Sequence, residues 1–123
     1  MAEPAAGLDA EDAKLVTLAR AARLRAYVQH TGVAEGAAVR DTEGRTYAAA
    51  TVEAADPGLT TSALRGAVAA AASSGARAFE AAALVTDAET ADPRDLAVLR
   101  EFGAGTTLLL ARADGAVHTT VTT

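Results

Sequence analysis

Apolar residues recur at helical spacing through Leu15, Leu18, Ala19, Ala22 and Tyr27. That period predicts an amphipathic helix opening near Asp9. Asp9, Glu11 and Asp12 stand at its start, and Arg20, Arg23 and Arg25 crowd its end. Acid first and base last complement the helix dipole. The arginines read either as a solvated helix face or as a basic ligand-binding face, and the solvated face is the simpler reading. Residues 29–35 are polar and contain Gly32, which ends the helix. From Gly36 the pattern becomes extended. Gly36-Ala-Ala-Val-Arg leads into a turn at Asp41-Thr-Glu-Gly44, and residues 45–53 return as a second strand. Tyr47 and Val52 fall on opposite faces of that strand, and Gly44 is free to take positive φ in the turn.

Asp56-Pro57-Gly58 breaks the strand. Thr60 is then placed to cap an alanine-rich helix through Ala63, Ala67 and Ala70, closed by Gly75. Residues 81–86 form a short apolar run, expected as a buried central strand. A compact helix is predicted over residues 92–102, followed by Gly103 and Gly105. Residues 106–111, with three successive leucines, read as another buried strand. Ala113-Asp-Gly115 is a second turn of hairpin type, and residues 116–123 alternate as an edge strand. Residues 1–8, with Pro4 and Gly7, read as a loose tail, which leaves one domain over residues 9–123. Strands separated by helices imply a sheet with parallel neighbours and helices on its faces.

Composition narrows the function classes. The chain has 123 residues, enough for one domain with a real core. Hydrophobic residues make up 50% of it and aromatics only 3%, because alanine dominates. Alanine buries little area, so stability must come from close packing or from burial between subunits. No cysteine is present, which excludes disulfides and thiolate metal sites. A net charge of −5 argues against binding a nucleic-acid backbone, which needs a basic surface. No apolar run approaches the roughly 20 residues that span a bilayer. Residues 1–10 carry Glu3 and Asp9 and no basic cluster, unlike a signal peptide, so the expected location is cytoplasmic.

The order of elements and several local motifs together resemble the small cytidine deaminase family. Gly36-Ala-Ala-Val looks like that family's first strand, and Glu43-Gly44-Arg45-Thr46-Tyr47 like its first hairpin. Thr51-Val52-Glu53-Ala54-Ala55 stands in the place of an Asn-Val-Glu-Asn-Ala stretch. Gly58-Leu59-Thr60 is similar to the tripeptide before the first zinc ligand, and Leu99-Arg100-Glu101-Phe102 to the end of the later ligand helix. The resemblance implies an α/β/α sandwich with a mixed sheet of about five strands, the last two paired as a hairpin. It also implies a homo-oligomer, a dimer or a tetramer.

The family's chemistry needs zinc, held by one Cys or His and by two Cys of a Pro-Cys-x-x-Cys turn. The metal makes hydroxide available at neutral pH. A Glu two residues after the first ligand moves the protons. This chain departs at every one of those places. The resemblance puts the first ligand position at Ser62, the proton-shuttle position at Leu64, and the later ligand positions at Asp92 and Asp95. Zinc is therefore expected for the family but not for these residues. Two carboxylates and a hydroxyl suit magnesium or calcium better than zinc. A capping reading is simpler: Asp92 before Pro93 is an N-cap, and Asp95 falls at the third helical position of a capping box. The substrate pocket is eroded as well. The sugar-contacting pair maps to Thr51 and Glu53, and the expected aromatic maps near Val33. Glu53 reads either as a retained sugar contact or as a solvated strand end. His30 and His118 lack partner groups nearby in sequence and read as surface residues.

Three functions follow as expectations. The first is a non-catalytic, cytidine deaminase-like protein that acts by oligomerisation or partner binding. The second is a nucleoside-binding module with an eroded pocket. The third is a divergent nucleoside deaminase, which needs a general base not evident in the sequence.

Overall fold

Alternation along the central strands sends apolar side chains to both faces, so the sheet must be covered on both sides. The computed structural model, which describes residues 8–123, shows that arrangement. Helix α1 (Ala10–Arg23) is followed by strands β1 (Gly36–Asp41) and β2 (Thr46–Ala50). Helix α2 (Ala63–Ser73), strand β3 (Phe79–Val85), helix α3 (Pro93–Arg100) and strands β4 (Thr107–Ala111) and β5 (Val117–Thr122) complete the chain. The five strands lie in the order β2-β1-β3-β4-β5. Only β3 and β4, joined through α3, run parallel; β1 pairs antiparallel with both β2 and β3, and β5 runs antiparallel beside β4.

Ala37, Val39, Ala82, Leu84, Leu108 and Leu110 pack with α2 and α3 on one face. Their neighbours Ala38, Ala83, Val85, Leu109 and Ala111 pack with Leu15, Val16 and Ala19 of α1 on the other. The fold is thus the expected α/β/α sandwich. Small residues let the layers close up. A Cβ on Gly36 would lie 2.5 Å from the Arg23 nitrogen and 2.8 Å from its Cα, so α1 crosses β1 at a point that admits no side chain.

Several local expectations change. The expected tail falls mostly on residues 1–7, outside the described residues; Leu8 packs beside the α1 core. Tyr27 does not continue α1. Its backbone instead brackets the extended residues 51–53, with Tyr27 N–H donating to Thr51 O and Glu53 N–H to Tyr27 O. Strand β2 ends at Ala50 rather than residue 53, because Val52 leaves the sheet to pair with Thr61 on its other side. Thr60 does not cap α2. A short 3-10 turn, Pro57–Leu59, holds Thr60 extended, its hydroxyl accepts from Ala54 N–H, and Ser62 becomes the cap. The arginines lie largely on a solvated face, Arg20 and Arg25 exposed and Arg23 half-buried, and two of them also bond to loops. Arg20 donates to Ala113 O at 3.0 Å and Arg23 to Ala34 O at 3.1 Å, tying the helix to two loops. Among the described residues no helix is long and apolar enough to cross a membrane.

Candidate functional site

The N-termini of α2 and α3 converge beside the start of β1 and the end of β3. Between them lies a cavity of about 320 Å³, lined by Glu35, Ser62, Leu84, Ala91, Asp92 and Asp95. The fold thus gathers Ser62, Asp92 and Asp95 from two separate segments into one place. Helix N-termini present unpaired N–H groups and a positive dipole end, which favours anionic side chains there.

Ser62 caps α2 by accepting from the Arg65 backbone N–H at 3.2 Å. Its hydroxyl donates to Asp95 Oδ1 at 2.8 Å. One helical turn on, Arg65 Nε lies 2.9 Å from Ser62 Oγ and 3.0 Å from the same Asp95 oxygen. Asp95 is only 2% exposed. The capping box expected of Asp95 is not formed. Its carboxylate points across to α2, and α3 is capped by Asp92, which accepts from Arg94 N–H at 2.8 Å. Asp92 behaves as its Asp-Pro sequence suggests. Its side chain also pairs with Arg94 Nη2 at 2.9 Å, and that hydrogen bond holds its carboxyl below the ordinary range.

Leu64 does not line the cavity. Its side chain is fully buried among Ala63, Ala67, Val68 and the sheet residues below them. Thr51, Glu53 and Val33 also lie off the cavity lining. Thr51 is buried, and its hydroxyl accepts from Glu35 N–H at 3.1 Å. Glu53 is not a solvated strand end. One carboxylate oxygen accepts from the N–H groups of His30 and Thr31 at 2.9 and 3.0 Å, and the other from the Thr31 hydroxyl. These bonds, the Thr31 hydroxyl first, hold its carboxyl below the ordinary range. Val33 is 62% exposed. His30 is exposed, whereas His118 is half-buried with Nε2 shielded and, among the described residues, unpaired.

Two residues of the site escaped the sequence reading. Glu35 lines the same cavity and accepts from the Thr86 hydroxyl at 2.5 Å. Burial raises its carboxyl above the ordinary range, and Asp95, Asp92 and Asp87 add to that, against the Thr86 hydrogen bond. An acid directly before the buried strand at Gly36 was the available signal. Arg65 was the other; its signal was a basic residue three positions after a helix-capping serine, where i and i+3 share a face.

The donors do not suit zinc, which takes sulfur, imidazole and carboxylate ligands with free lone pairs that converge. Here the Ser62 oxygen and the inner Asp95 oxygen are each engaged by Arg65, and Asp92 is paired with Arg94. Among the described residues no three His, Cys, Asp or Glu side chains gather as a metal-holding group.

Comparison with known proteins sets this geometry in a lineage. A family model described as cytidine deaminase-like matches residues 8–115. No curated protein gives a significant match. Among solved structures, the chain is similar to cytidine deaminase from Burkholderia pseudomallei at 28% identity and a TM-score of 0.82, over 89% of this chain and 90% of that one. It is similar to cytidine deaminase from Mycobacterium tuberculosis at 31% identity and a TM-score of 0.74, over 83% and 85%. The Mycobacterium leprae enzyme matches at 25% identity and 0.76, over 93% and 94%. The family match over most of the chain and the likeness to solved cytidine deaminases agree, and the chain belongs to the cytidine deaminase-like family.

Proposed function

We propose that this chain is a cytoplasmic, cytidine deaminase-like protein without zinc-dependent deamination, acting through homo-oligomerisation or partner binding. Leu64 carries the reading. The resemblance puts the proton-moving group of the family at this position, and here the side chain is a hydrocarbon buried in the core. A hydrocarbon neither accepts nor donates a proton, and positioned acid–base groups are worth about 10² to 10⁴ in rate. The oxygen donors at Ser62, Asp92 and Asp95, already engaged by arginines, support the same reading.

Exposed apolar residues support assembly. Tyr27 and Val52 are neighbours through a backbone bridge and both are half exposed, while Leu24 and Leu59 are 83% and 71% exposed. Tyr27 and Val52 adjoin, and together they offer an apolar surface that a second subunit could cover. A nucleoside-binding role has less support, because the Glu53 carboxylate already satisfies the turn at His30 and Thr31.

One observation favours a divergent hydrolytic deaminase. Glu35 supplies a carboxyl with a raised pKa on the wall of the same cavity. Turnover of cytidine and deoxycytidine in the presence of zinc separates the readings. The proposal expects no rate above the uncatalysed reaction. Turnover that disappears in Glu35→Gln would replace it with the hydrolytic reading.

A further inference from the structure

We infer that the solvent face of α1 is a contact between two copies of this chain, packed antiparallel about a two-fold near Leu18. The inference deepens the assembly reading above and rests on it. It adds the place and the direction of one contact, apart from the Tyr27–Val52 surface.

The inner face of α1 is taken up by the sheet, through Leu15, Val16, Ala19 and Ala22. At 3.6 residues per turn the opposite face carries Ala10, Lys14, Thr17, Ala21 and Leu24, all exposed. The first half of that face holds a groove of about 470 Å³, lined by Ala10, Ala13, Lys14, Thr17 and Leu18. Small residues alone do not say what fills it. The other end of the helix does. Leu24, at the C-cap, is 83% exposed, more than any other large apolar side chain among the described residues. It stands about 20 Å along the helix from Ala10, too far to fill the groove of its own chain. A second copy reversed about Leu18 brings its Leu24 to the level of Asp12, between Ala10 and Ala13. The same operation seats Leu24 of the first copy in the second groove, so knob and hole are satisfied twice.

Charge gives the same register independently. Glu11 and Arg25 stand seven places before and seven places after Leu18. A two-fold perpendicular to both helices keeps them on one side of the seam, so each Glu11 meets Arg25 of the other copy. Both are exposed, Glu11 pairs with Lys14 at 3.2 Å, and Arg25 makes no ion pair among the described residues. Rim pairs of this kind add little affinity and act mainly on direction and register. A parallel arrangement would set acid beside acid and base beside base, and would oppose like ends of the two helix dipoles. A partner of different sequence would need neither relation, whereas both hold within this one helix.

Sedimentation of the full chain over a range of concentrations at low salt tests this. Leu24→Glu is expected to weaken association at least about tenfold in dissociation constant. Arg25→Glu and Glu11→Arg should each weaken it as well, and the double variant carrying both should return toward the parent, because the charges are exchanged and remain paired. Thr120→Lys, on the opposite edge of the molecule, should leave association unchanged. All these sites are exposed, so each variant should melt within about 4 °C of the parent, which separates lost association from lost folding. A double variant weaker than either single one, or Leu24→Glu associating like the parent, would overturn the inference. A monomeric parent would overturn it too, and would leave the groove to a different partner. If Val52→Asp dissociates the protein and the α1 variants do not, this contact fails and the assembly reading stands. Cytidine turnover by a protein whose association depends on Leu24 would remove the non-catalytic reading and leave the contact.

Discussion

Glu35 shows how burial of a single side chain ties stability to pH. Its ordinary pKa is 4.5, and burial raises it in the folded protein. Below 4.5 both folded and unfolded chains hold the proton, and Glu35 contributes nothing to the pH dependence. As pH rises above that value the unfolded chain releases its proton first, so stability falls until the folded pKa is passed. Glu35→Gln removes the titration and keeps an acceptor for Thr86. The variant should therefore melt higher than the parent at pH 7 and equally with it at pH 4. Equal melting at both pH values would show that the carboxyl is not held in the cavity. Glu53 titrates in the opposite sense: its lowered pKa adds stability above the ordinary value, which is lost as pH falls through the folded one. At this scale the sequence was partly legible. Asp92 was readable because Asp-Pro signals its own helix start, a local matter. Asp95, Arg65 and Glu35 were not, because their partners lie 33, 30 and 51 positions away, at Ser62, Asp95 and Thr86.

The elements follow the sequence pattern wherever the pattern is local and repetitive. Strand β3 and strand β4 appear as apolar runs because both sheet faces are covered, and α3 starts where Asp92 and Pro93 require. The misread boundaries lie where a segment bonds outside its own element. Thr60 and Ser62 are both capping residues, and only the 3-10 turn before them decides that Ser62 takes the role. The end of β2 is set by Tyr27 and Thr61, which no period within residues 45–53 reveals. Close contact between elements is equally specific. Gly36 lets α1 approach β1 until its backbone sits where a Cβ would be. Gly36→Ala should displace the helix and lower Tm by about 5–10 °C, measured by circular dichroism. A change under about 2 °C would mean that α1 lies farther from the sheet than the structure places it.

For the whole molecule, order and spacing of elements carried more information than any single motif. The layers, the covered sheet faces and the family were readable although the chain has no cysteine. Its core is built from sheet residues that lie off the cavity, such as Val39, Leu108 and Leu110. Assembly belongs to this scale too. Sedimentation analysis should give a dimer or tetramer, and Val52→Asp, which puts a charge into the exposed apolar region beside Tyr27, should shift it toward monomer by at least about tenfold in dissociation constant. A parent protein that sediments as a monomer would count against assembly through this surface. The most direct test of the central claim combines zinc stoichiometry and cytidine turnover on one sample, purified without a histidine tag and exposed to zinc. The account predicts no stoichiometric zinc and no turnover. One zinc per chain together with deamination would contradict it, and would mean that Ser62, Leu64, Asp92 and Asp95 do not occupy the positions assigned to them.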